Sequence, residues 1–248
     1  MKHKTHMNRF TALNKTVALS LAAAGLVSAS PAFAAALTNA SYVSINDNNE
    51  DGRGNYDSQG ATGRYGVAVG VNGQGANATA NAATAIGRQA AAKGNSSTAV
   101  GSASVAEGLS STAFGSGSNA TAPASTAVGQ GTQATGAYTV AVGQKARANG
   151  ISSAAIGSAS VAEGDYSIAT GAASQATGKA SVASGLQAQA KGGSSVAIGR
   201  GAIASDEYSV ALGANSTTSA AVGTNSATVN GVTYSGFAGT NPTSTVSV

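Results

Sequence analysis

The sequence predicts an all-β fold, a parallel β-solenoid of fourteen-residue coils. Three observations predict it. A glycine recurs every fourteen residues, at Gly87, Gly101, Gly115, Gly129, Gly143, Gly157, Gly171, Gly185, Gly199 and Gly213, with no insertion between copies. An alanine stands two residues before each of them, from Ala85 to Ala211. Around that alanine, β-branched residues alternate with it at period two, the period of a strand. Tandem copies of one fixed length mark a solenoid, in which each repeat is one coil stacked on its neighbour.

Composition agrees with so thin a fold. Of 248 residues, only 4% are aromatic and 9% charged, while 34 are glycine. Such a chain cannot fill a globular core with large side chains. It has no cysteine, which excludes disulfides and thiolate metal sites.

The chain opens with Lys2, Lys4, Arg9 and Lys15, then an apolar run from Thr16 to Val27 and the small-residue site Ala32-Phe33-Ala34. This order predicts a secretory signal peptide over 1–34. The run is too short for a membrane anchor, which needs about 20 apolar residues. Those four cations account for the whole net charge of +4. Beyond Ala34 nine basic residues balance nine acidic ones, so no basic surface for nucleic acid is expected. His3, His6, Met1 and Met7 also lie in the leader, and the rest of the chain has no His, Cys, Met or Trp. Histidine bases, Ser-His-Asp triads and His/Cys zinc sites are therefore excluded. We expect no catalytic, cofactor or metal residues.

Residues 35–66 read as an irregular polar N-terminal cap, with one short edge strand at Tyr42, Val43 and Ile45. The acidic run Asp47 to Asp51 lacks the twelve-residue calcium-loop pattern closed by a bidentate Glu, and reads as a solvated cap. Coils are expected over 67–223. Tyr65 to Gly70 is a first, off-phase copy. The next repeat glycine follows after seventeen residues, so the run Val71 to Asn81 carries three extra residues, which read as a looped-out turn.

Within the array, positions are counted from the repeat glycine. At minus one stand Ile86, Val100, Phe114, Val128, Val142, Ile156, Thr170, Ser184, Ile198 and Leu212. At minus three stand Thr84, Thr98, Thr112, Thr126, Val140, Ala154, Ile168, Val182, Val196 and Val210. Alanine fills plus five from Ala92 to Ala204, and glycine returns at plus seven in most copies. Fourteen residues then divide into strand, turn, strand and turn. Paired glycines seven apart would break any helix. They suit corners, where φ is positive or backbones approach closely.

Alternation sorts the faces. Ala at minus two points one way, and the pair at minus three and minus one points the other. Plus three and plus five are Ala, Ser or Thr, while plus two, plus four and plus six are polar or mixed, as in Lys145, Arg147 and Asn149. A coil of two short strands has room inside only for small groups. The alanine faces therefore meet inside, and the β-branched column points outward. At ~4.8 Å per coil the column is roughly 43 Å long and about 10 Å wide. That is on the order of 400 Å² of apolar surface, near the largest patch a soluble monomer leaves exposed. Burying one such side chain stabilises by about 1.5–3 kcal/mol, so self-association along the column is expected.

Phe114 is the one bulky member of the column, and Thr170 and Ser184 predict a weaker seam. Tyr138, Tyr166 and Tyr208 open the first strand in three copies. They read as turn-packing residues, with exposed ligand contacts as the alternative. After Gly213 the period fails. Ala221-Val222-Gly223 reads as a closing coil, and Thr245 to Val248 as a final extended strand.

The array resembles the head repeats of the YadA-like trimeric autotransporter adhesins. Ser195-Val196-Ala197-Ile198-Gly199 matches the family's repeat fully, and Ser209-Val210-Ala211-Leu212-Gly213 nearly so. The likeness runs from Tyr65 to Gly223. Phe237-Ala238-Gly239 and Ser244 to Val248 resemble the passage from head to neck, making 224–248 a connector. The resemblance implies a left-handed parallel β-roll, a homotrimer packed on the column Ile86, Val100, Phe114, Val128, Val142, Ile156, Ile198 and Leu212, and display on a bacterial outer membrane. It implies host partners, either extracellular-matrix proteins such as collagen or a cell-surface receptor. It assigns no single ligand contact. The heptad stalk and amphipathic barrel strands of that family are not in this sequence, so membrane attachment is expected only through a missing C-terminal anchor, and otherwise secretion.

Two other classes compete. An ice-binding or structural solenoid would use the file Thr84, Thr98, Thr112 and Thr126, but the file turns into Val140, Ala154 and Ile168. A polysaccharide-cleaving β-helix needs paired carboxylates. Glu107 and Glu163 share plus six but lie four coils apart, roughly 19 Å. Calcium-binding nonapeptide repeats are excluded by the absence of a periodic Asp.

Overall fold

The computed structural model describes residues 60–70 and 75–248. The expected signal peptide over 1–34, the short strand at Tyr42 to Ile45 and the acidic run at Asp47 to Asp51 lie outside them.

Each coil runs strand, turn, strand, turn, with no helix among the described residues. The coil of Gly171 shows the plan. Ile168–Thr170 is the first strand and Gln175–Ala176 the second. First strands stack into a twelve-stranded sheet that begins at Val67–Val69 and ends with Val246–Ser247. Second strands stack into a ten-stranded sheet from Asn77–Ala78 to Ile203–Ala204. Pairing is parallel and in register. Ala155 lies on Ala169, and Ala162 on Ala176. The ladder continues through the corners, where Gly171 N–H donates to the Ile156 carbonyl at 2.8 Å and Ala173 N–H to the Ser158 carbonyl at 2.8 Å.

The interior is four small side chains wide. In one coil Ser167, Ala169, Ser174 and Ala176 are all fully buried. Burial at minus two, plus three and plus five agrees with the alternation. The fully buried column at minus four, from Ser97 to Ser209, goes beyond it. Many interior hydroxyls turn back to the carbonyl three residues earlier, which ties the corner to the strand. Ser174 Oγ donates to Gly171 O at 2.9 Å, Ser181 Oγ to Gly178 O at 2.7 Å, and Thr139 Oγ1 to Gly136 O at 2.7 Å. No contact accounts for the hydroxyls of Ser97, Ser111, Ser167 and Ser195.

Each coil is two seven-residue halves with nearly the same path. In most coils both halves start at a glycine and reach a left-handed residue two positions later, as at Ala173 (φ 55°) and Ala180 (φ 53°). A buried small residue and a buried alanine follow. The two glycine columns exist for different reasons. Gly171 has φ +124°, and a Cβ there would lie 2.5 Å from the Gly185 carbonyl oxygen. Gly178 has no such dihedral, but a Cβ would strike the Gly192 carbonyl oxygen at 2.0 Å. Coils thus approach backbone to backbone at both corners.

The ends differ from expectation. Ala61 already bridges Ala78 in parallel, and Gly63 N–H donates to Ala78 O at 3.1 Å, so coil geometry begins inside the expected irregular cap. Of the run Val71 to Asn81, residues 71–74 lie outside the described residues, while Asn77–Ala78 is a second-sheet strand. The three extra residues therefore fall between Gly70 and that strand. At the other end Ala221-Val222-Gly223 does not close the array. It forms no strand and Val222 is exposed, because ten residues after Gly213 are too few for a whole coil. Thr217 makes one bridge to Ile203, and the cap is the strand expected over Thr245 to Val248, formed at Val246–Ser247 and laid parallel on Val210–Ala211. Between them stands an antiparallel hairpin, Ser226–Val229 with Val232–Ser235, turned by Asn230 (φ 51°) and Gly231 (φ 81°).

Candidate functional site

Among the described residues no cluster of His, Cys, Asp or Glu could hold a metal ion. What the coils offer are three long surfaces, each set by the repeat register.

The first is the outer face of the first sheet. Alternation turns minus three and minus one outward, and the structure agrees. Phe114 is 55% exposed, Ile86, Ile156, Ile198 and Leu212 are also exposed, and Val100, Val128 and Val142 are half-buried by their neighbours along the column. Thr84, Thr98, Thr112 and Thr126 share this face for four coils, and then Val140, Ala154 and Ile168 replace them. Thr170 and Ser184 keep full ladder pairing, so their polarity changes the face and leaves the sheet intact.

The second surface is the outer face of the second sheet together with the corner that leads into it, where side chains one coil apart pair with each other. Lys93 Nζ meets Glu107 Oε1 at 2.8 Å, Thr135 Oγ1 donates to Asn149 Oδ1 at 2.8 Å, and Gln144 Nε2 to Gln130 Oε1 at 3.0 Å. Lys145 and Arg147 have no ion-pair partner among the described residues. They rise beside a shallow hollow of about 520 Å³, also lined by Gly131, Gln133, Ala159 and Val161. Both groups extend into solvent, and the hollow is too open to enclose a ligand.

The third surface is the corner before the first strand. Its left-handed position, minus five, holds Ser96, Ser110, Ala124, Ser152, Ala180 and Ser194, but also Tyr138, Tyr166 and Tyr208. Tyr65 takes the same place before Gly70. The tyrosines thus do not open the strand. They stand in the turn with φ between 57° and 62°. Nor do they pack the turn, since Tyr138, Tyr166 and Tyr208 are 67%, 59% and 58% exposed. A left-handed backbone costs about 1–2 kcal/mol for a residue with a Cβ. Leu109 and Ile151, one position earlier in their own coils, are exposed on the same edge. The sequence signal for this edge was in plain view: all four array tyrosines share one register position.

A two-copy model of the YadA head domain repeat matches residues 92–118, 120–146, 148–174, 176–202 and 190–216. The chain belongs to the YadA-like trimeric autotransporter adhesins. The matches fall on the in-phase coils, so the YadA-like repeat and the structural coil are one unit. Among solved structures, the crystal structure of the collagen-binding domain of Yersinia adhesin YadA aligns over 75% of this chain and 80% of that one, with 22% identity and a TM-score of 0.34. A superposition that loose carries no argument about this chain. No curated protein matches the sequence. The YadA-like assignment makes this the head of an adhesin.

Proposed function

We propose that the chain is an exported head domain that assembles as a homotrimer on its apolar column and binds extracellular-matrix protein, collagen above all, at a bacterial surface. The observation that carries this reading is the array itself. YadA head repeats stack in register while holding an apolar face away from the interior, at Phe114, Ile156, Ile198 and Leu212. No large side chain lies in the core, so that face is the main apolar surface left to bury. Repetition supports the ligand reading, because identical corners on three chains present many weak contacts at once.

Three measurements test it. Retention of the chain lacking 1–34 on immobilised collagen, fibronectin and laminin is expected, with collagen strongest. Binding to none of them would refute the adhesive reading. Sedimentation is expected to give three chains per particle, and a folded single chain would refute the trimer. The N-terminus of secreted protein is expected at Ala35.

A further inference from the structure

Tyrosine stands at minus five in four coils and nowhere else in the array, in a left-handed turn and turned to solvent. Serine or alanine fills the position elsewhere, so folding does not call for an aromatic there. A bulky ring held in a sparsely populated backbone region, with little of it packed, points to a task outside the fold. We infer that Tyr138 and Tyr166, with Ile151 between them, form a docking edge for the proline-rich strand of a collagen triple helix lying along the solenoid axis. This rests on the matrix-binding reading above and names its contact.

The argument is one of chemistry and spacing. Extended proline-rich chains are recognised by exposed aromatic rings, which pack on pyrrolidine faces already fixed in place. Tyr138 and Tyr166 occupy the same position two coils apart, about 9.6 Å at the ladder spacing. One turn of a polyproline II helix, three residues long, advances about 9.3 Å. A Gly-X-Y strand parallel to the axis therefore presents the same residue of its triplet to both rings. Ile151 lies one residue earlier in the corner of the intervening coil, beside Ser152, and offers an exposed apolar side chain between the rings, while its N–H donates to Asp165 Oδ1 at 2.8 Å. Leu109 extends the edge two coils before Tyr138, in the same step. Tyr208 stands three coils beyond Tyr166, roughly 14 Å away and out of step with the triplet.

The test uses the whole chain without 1–34 and an immobilised triple-helical peptide of Gly-Pro-Pro repeats, with whole collagen beside it. The variant Tyr138→Ser with Tyr166→Ser installs the residue found at Ser110, Ser152 and Ser194, so the turn is kept. It is expected to lose about tenfold or more in affinity for the peptide, as loss of aromatic anchors does. Its sedimentation and circular dichroism are expected to stay unchanged. Tyr208→Ser is expected to lose less than about twofold, because it is off the triplet step. Unchanged binding by the double variant, an equal loss in Tyr208→Ser, or a changed oligomeric state would overturn the inference. So would wild-type binding to whole collagen but not to the peptide. Wild-type binding to neither would instead bring down the collagen reading on which the inference rests.

Discussion

The coils from Thr84 to Leu212 and the hairpin Ser226–Val229/Val232–Ser235 are both β-structure, but they are held in opposite ways. In the coils every interior position is alanine or a small hydroxyl residue, and backbones meet at the glycine corners. In the hairpin no residue is buried, and its Gly231 has nothing within 4 Å of where a Cβ would stand. Both places use a positive-φ glycine, yet only in the coils does the next turn of chain sit where the side chain would go. Stability in the array comes from repetition of close backbone contact. Stability in the hairpin comes from one local turn.

Glycine substitution should break this contrast most sharply if it is wrong. Gly157→Ala places a Cβ 2.5 Å from Gly171 O at φ +134°, and is expected to cost about 3 kcal/mol or more. Gly231→Ala, at φ +81° in open space, is expected to cost about 1–2 kcal/mol. Denaturant midpoints of the two variants measure the difference, and equal shifts would mean that the corners are looser than the structure has them. Core volume sharpens the point at a smaller scale. Ala169→Leu forces three methyl-sized groups into a closed coil, for about 1–3 kcal/mol, while Ala227→Leu in the hairpin should stay within about 0.5 kcal/mol. The electrostatic effect is small as well. Glu107→Gln removes the exposed pair with Lys93, and the midpoint should move by under about 1 kcal/mol and not at all in high salt.

Most of the array was legible in the sequence because each column has one physical reason. Glycine every fourteen residues reports the corner, and alanine two residues earlier reports the interior. The serine column at minus four was harder to place. Serine reads as surface by composition, and only the corner carbonyl it reaches, as from Ser181 to Gly178, reveals it as core. The closing coil was misread for a related reason. Ala221-Val222-Gly223 copies the letters of a coil without its length, whereas the strand expected over Thr245 to Val248 does form, at Val246–Ser247, and caps the first sheet. The pair Asn230-Gly231 between apolar runs was a sufficient hairpin signal, overshadowed by the repeat before it. The repeat pattern puts Tyr138 and Tyr166 at the start of the strand, and their common left-handed turn appears only in the backbone.

The uniform glycine and alanine columns also bear on inheritance. Any coil can follow any other, because the join between two neighbours is the same wherever it falls. Unequal crossing-over in the coding DNA would then add or delete whole coils, each ~4.8 Å tall, without leaving a structural scar. The length of the array would then follow copy number while the cross-section of each coil stays fixed.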